Sequence, residues 1–154
     1  MNNIRFFVIL LFTFQFIAAQ KVVDKYGAIV RSNTTKKNIY LCFTGHDFDD
    51  GFKHVLTVLK TKNIKASFFL TGDFIRSHKT LVKTMASDGH FVGAHSNKHL
   101  LYCDWTKRDS LLHSPRKIKK DIQRNLKALQ KIGITSKYFM PPYEWYNKEV
   151  VKMA

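Results

Sequence analysis

Between residues 39 and 139 the chain alternates short apolar runs with stretches whose apolar residues recur at helical spacing, and this constrains its fold most. Residues 39–43, 65–70, 90–94 and 137–139 read as strands. Residues 52–63 carry Val55, Leu56, Val58 and Leu59 on one helical face, residues 78–89 form a second helix ending at Gly89, and a third begins at Ser114-Pro115. That third helix runs through Lys119, Ile122, Leu126 and Leu129 to Gly133, with Ser114 as cap and Pro115 in the first helical position. Thr71-Gly72-Asp73 reads as a turn, residues 95–114 as irregular, and the chain is helical again from Asn147. Strand and helix in this order predict an α/β fold with a parallel sheet and right-handed crossovers.

In such sheets chemistry gathers where strands end. Polar clusters follow three of the four strands: Asp47, Asp49 and Asp50 after the first, His95 and His99 after the third, Pro142-Tyr143 after the fourth. Adjacent carboxylates repel unless a cation or a shared proton relieves them. An isolated Asp-Asp-Gly reads as a solvated turn, and its place directly after a buried strand in a very basic chain weakens that reading. His95 and His99 have the spacing that places two imidazoles on one face of a helical turn. With Asp50 they make two imidazoles and a carboxylate, a set that zinc catalysis uses with one position open for water and that non-haem iron also uses.

A chain of 154 residues holds one domain with a core large enough to fold unaided. The net charge of +15 comes mostly from scattered lysines and draws the protein to anionic surfaces. With no arginine-rich helix, finger spacing or recognition-strand motif, nucleic acid is not an expected partner. Arg5 precedes an apolar run over residues 6–19, shorter than the ~20 residues a spanning helix needs. Ala18 and Ala19 close it as a signal-peptide site, so residues 1–19 read as a signal peptide, 20–38 as a polar leader and 39–154 as the folded domain. An uncleaved anchor is the alternative; cleavage leaves no stable membrane span and a secreted or periplasmic, cell-envelope protein. Export permits a Cys42–Cys103 disulfide, while the apolar strand around Cys42 equally suits a buried free thiol.

On Phe48-Asp49-Asp50-Gly51, His95-Ser96-x-x-His99 and Pro141-Pro142-Tyr143, in that order, the chain resembles the polysaccharide deacetylase (NodB-like) family of carbohydrate esterases. Ala66-Ser67-Phe68-Phe69 and Asp88-Gly89-His90 add to the likeness, which spans residues 39–147. The resemblance implies a distorted parallel (β/α) barrel, incomplete here with about four β/α units and lacking a later Leu-x-His motif, as in a truncated chain. It implies zinc or another divalent metal on Asp50, His95 and His99, Asp49 as general base, and the Tyr143 N–H as oxyanion donor. The activity implied is removal of N-acetyl groups from an N-acetylhexosamine polymer such as peptidoglycan or a chitin-like chain. The alternative is a truncated or degenerate relative that binds metal or glycan without efficient turnover. Three positions depart from the pattern: Met140 replaces an Arg that orients the base, Leu100 a Pro, and Asp47, preceded by His46, the Thr two residues before the acidic pair. His46 or Asp47 is therefore expected to share the acid/base role. The 13 Phe, 6 Tyr and 2 Trp read mainly as core packing, with some available to stack on sugar faces.

Overall fold

The structure is a computed structural model that describes residues 21–32 and 37–154, so the expected signal peptide lies outside the described residues. Its centre is a parallel sheet of three strands, β3 (Cys42–Gly45), β4 (Ser67–Leu70) and β5 (Phe91–Ala94), in the order β3-β4-β5. Register is continuous, with Gly45 beside Leu70 and Leu70 beside Ala94, so the strands end level. The crossovers are α1 (Phe52–Thr61) between β3 and β4, then α2 (Gly72–Ser77) and α3 (Lys79–Ser87) between β4 and β5.

The alternation read from the sequence is the fold, with three differences. Gly72 opens a helix: the Thr71 hydroxyl caps it by accepting the Phe74 N–H, and a side chain at position 72 would run into the Asn97 amide. Residues 137–139 form no strand; Phe139 makes one parallel bridge to Ala94, and the Met140 N–H donates to the Ala94 carbonyl at 2.9 Å. Residues 20–38, read as a polar leader, contain an antiparallel pair, β1 (Val22–Val23) and β2 (Ile29–Arg31).

Helix α4 (Pro115–Gln130) packs its Ile118, Ile122, Ala128 and Leu129 inward. Burying each large aliphatic contributes about 1.5–3 kcal/mol before chain entropy is counted. Ser114 caps it, accepting the Lys117 N–H, as the Ser-Pro pair predicts. One apolar cluster joins Phe52, Phe68, Leu70, Phe74, Val82 and Met85 between sheet and helices. A second gathers Tyr102, Cys103, Ile118, Ile122 and Val150 beneath the long loop, closed by α5 (Lys148–Met153).

Among the described residues β3 has a single neighbour in the sheet, and the apolar segment leading into it is open: Ile39 is 91% exposed and Cys42 is exposed. The expectation of a buried Cys42 fails for that reason. Both cysteines are free, with Cys103 the buried one.

Candidate metal centre

Three loops leave the carboxyl ends of β3, β5 and the Phe139 bridge on one side of the sheet, and they meet in a group of rings. His95 follows β5 and is buried; its Nδ1 lies 2.9 Å from the Met140 carbonyl. A carbonyl can only accept, so Nδ1 carries the proton and Nε2 of the neutral ring presents a lone pair. That lone pair faces Nε2 of His99 at 3.2 Å. His46, following β3, stacks on His99 with ring centres 4.7 Å apart, and Tyr143 meets His99 edge-on at 4.6 Å.

The four-residue spacing does not work through a helix. Ser96 and His99 both have left-handed backbones, with φ of 69° and 54°, and Tyr143 and Glu144 in the facing loop have φ of 60° and 51°. Four of the five such non-glycine residues among the described residues therefore lie in the two loops around the imidazoles. Each costs of the order of 1–3 kcal/mol and persists only where the surroundings enforce it.

The enforcement is a buried polar network that the sequence reading did not identify. Asn125 on α4 accepts the His95 N–H at 2.7 Å and donates to the Leu70 carbonyl at 3.0 Å. Asp121, one turn earlier, accepts the Asn97 N–H at 3.0 Å and the Tyr102 hydroxyl at 2.8 Å. The Ser96 hydroxyl accepts the His99 N–H at 2.8 Å. Burial first, then the Asp121 carboxylate, holds the Tyr102 hydroxyl far above its usual pKa, so it stays a donor. Asp121 and Asn125 sit on the same stripe as Ile118, Ile122 and Leu129, and two polar residues on an apolar helical face were the available signal.

Electrostatics keep the pair neutral. Burial holds His95 below the usual histidine pKa, against a raising contribution from the Met140 carbonyl. Burial lowers His99 as well, helped by the neighbouring His95 and His46. Neutral imidazoles are cation ligands, and His95 offers the bare Nε2 that such a ligand needs, with Nε2 of His99 beside it. Two tetrahedral ligands at ~2.0–2.1 Å from one zinc stand roughly 3.3 Å apart, close to the separation of the two Nε2 atoms.

The carboxylates are placed differently. Asp49 pairs with His78 at 3.6 Å, and Asp47 with Nε2 of His46 at 3.3 Å. Asp50 is exposed and has no side-chain partner among the described residues. No three His, Cys, Asp or Glu side chains among the described residues surround one point closely enough to hold a cation. Of the residues singled out in the sequence, His46, His95, His99 and Tyr143 come together; Asp49 and Asp50 stand apart from them. The donor chemistry fits a divalent metal at two imidazoles, with the third ligand not in place.

The family model for polysaccharide deacetylases matches residues 31–154. The peptidoglycan-N-acetylmuramic acid deacetylase PdaA of Bacillus subtilis is 38% identical over 79 residues, 51% of this chain and 30% of that protein. The peptidoglycan-N-acetylglucosamine deacetylase PgdA of Listeria monocytogenes is 30% identical over 119 residues, 77% of this chain and 24% of that protein. A family 4 carbohydrate esterase from Bacillus anthracis superposes with a TM-score of 0.67 at 29% identity, over 78% of this chain and 55% of that one. The chain spans only about a third of the curated relatives it matches, 36% of an uncharacterized Geobacillus stearothermophilus protein and 30% of PdaA.

Proposed function

Because the chain belongs to the polysaccharide deacetylase family, we propose that it hydrolyses N-acetyl groups of an N-acetylhexosamine polymer, peptidoglycan or a chitin-like chain, outside the cytoplasm. The observation that carries this reading is the imidazole pair: Nε2 of His95 and His99 converge, with the tautomer of His95 set by the Met140 carbonyl. His95 and His99 would hold a divalent metal, zinc by donor type, with Asp50 as third ligand once its exposed side chain turns in. The bound metal supplies Lewis acidity toward the acetamide carbonyl and the attacking water.

The remaining chemistry belongs to side chains and backbone. A base must take the proton from water as oxygen attacks the acetamide carbon; the C–N bond then breaks, leaving acetate and a sugar amine. Asp49 is the first candidate, and it would exchange His78 for the water. His46 is the second: it already lies on the ring stack and has the Asp47 carboxylate on one nitrogen. The backbone N–H of Tyr143 would donate to the developing oxyanion, its position fixed by the two prolines before it. The apolar run over residues 6–19 supports export. No helix among the described residues is long and apolar enough to cross a membrane.

The test is acetate release from N-acetylglucosamine oligomers together with zinc content by elemental analysis. About one zinc per chain is expected, lost in His95→Ala and His99→Ala. Asp49→Asn and His46→Ala separate the two bases, since the true base variant keeps zinc and loses turnover. A protein that takes up no stoichiometric metal and releases no acetate would sink this reading.

A further inference from the structure

The ring group around His99 continues outward. Tyr143, edge-on to His99, is followed by Trp105 at 5.5 Å between ring centres and an interplanar angle of 72°. Trp105 is 55% exposed and Tyr143 48%. Beneath Trp105 lies Trp145, 5.5 Å away and tilted by 33°. Leaving an indole half in water forgoes about 25 cal/mol for every Å² it could have buried.

Trp105 is held in place although it is exposed. Trp145 donates its indole N–H to the Asp104 carbonyl at 3.1 Å, and the Arg108 guanidinium lies 4.0 Å over its ring. Arg108 is fixed in turn by donating to the Tyr146 carbonyl at 2.6 Å. The Asp104 carboxylate accepts the N–H groups of Thr106 and Lys107, which bends the chain tightly around Trp105. The result is a pre-ordered aromatic shelf one ring removed from the imidazole pair.

We propose that Trp105 is the platform of a sugar subsite, receiving a pyranose ring next to the one whose acetamide faces His95 and His99; this rests on the polysaccharide reading above. A β-linked pyranose presents axial C–H groups on one face and hydroxyls at its edge. That pattern matches an indole face with the exposed Lys107 two residues on, and with the exposed Glu144 next in sequence to Tyr143. Size separates a sugar from a protein partner. Two aromatic side chains offer roughly 150–250 Å² each, whereas a stable protein interface needs about 800 Å² per partner. The shelf is continuous, ring to ring, with the candidate centre, so a ring stacked there stays within one polymer chain of the reacting group.

The test is a tryptophan-fluorescence and calorimetric titration of the full chain with the β-1,4-linked N-acetylglucosamine hexamer, using wild type, Trp105→Ala and Trp105→Phe, alongside acetate release. The hexamer should change the wild-type emission, and Trp105→Phe should abolish that change while keeping most of the affinity. Trp105→Ala should weaken binding about tenfold, raising KM with kcat and zinc content unchanged. Equal hexamer affinity in Trp105→Ala and wild type overturns the shelf, as does a wild type that does not bind the hexamer. Acetate release with no Trp105 effect removes the shelf and leaves the hydrolase. Binding through Trp105 without acetate release removes the hydrolase and leaves the shelf.

Discussion

The loop after β5 and the loop after β3 leave the two outer strands of one sheet, yet they are built differently. The first, carrying His95 and His99, is tied at His95, Asn97 and His99 by Asn125, Asp121 and Ser96, and residues 94–97 are buried. In the second, Phe48 is 76% exposed, Asp47 and Asp50 are exposed, and the carboxylates reach only single histidines or nothing. Local strain is also unequal, with left-handed Ser96 and His99 in one loop and only Gly51 in the other. The comparison teaches that the fold holds the two imidazoles in place through long-range bonds and leaves the carboxylates after β3 exposed and loosely tied.

The sharpest way to break the comparison is Asp121→Ala. Every buried side-chain polar atom among the described residues has a partner, and this change strands the Asn97 N–H and the Tyr102 hydroxyl together. A loss of roughly 3 kcal/mol is expected by urea unfolding, against about 0.5 kcal/mol or less for Asp47→Ala on the other loop. Equal losses would show that the loops are not held differently. Asn125→Ala comes next, at about 2 kcal/mol, since it removes one of two donors to the Leu70 carbonyl and one of two acceptors of the His95 N–H. Zinc affinity should fall with it.

Asp50→Asn tests whether the open loop joins the centre. It should leave stability unchanged and weaken zinc at least about tenfold, near 1.4 kcal/mol; unchanged affinity excludes Asp50 as a ligand. The smallest effect concerns Asp73 on α2, which pairs with Lys98 behind the histidine loop at 2.9 Å. Burial disfavours its charge, but hydrogen bonds from Lys98 and Arg76 outweigh that and hold its carboxyl below the usual range. Its folded pKa is therefore below the unfolded one. The stability it adds is present at neutral pH and is lost as pH falls below about 4. At a few tenths of a kcal/mol, the gap between wild type and Asp73→Asn should be measurable at pH 7 and vanish at pH 3.

Much was legible because it depends on local rules. Apolar periodicity located α1, α3 and α4 to within a few residues, Ser114-Pro115 marked the start of α4, and Asn147 capped α5 by accepting the Val150 N–H. The motif residues also told which strand ends deliver the rings that meet, His46, His95, His99 and Tyr143. The residues 137–139 run was misread because three apolar residues cannot report how many neighbours a strand will find. His95-x-x-x-His99 was correctly paired by a helical argument that the backbone does not follow. The two imidazoles meet because a strained loop is held by a helix that begins 16 residues after His99.

The amino-acid sequence by itself determined the order of strands and helices and the kinds of side chain delivered to the sheet's carboxyl end, since pattern and capping act over a few residues. Tertiary structure alone decided which of those side chains meet. Long-range hydrogen bonds from Asp121, Asn125 and the Met140 carbonyl orient His95 and His99, and the ring contacts draw in His46 and Tyr143. Asp50 was delivered to the same rim without any such bond, and for that physical reason the expected triad is not assembled: the two imidazoles meet and the carboxylate stays outside.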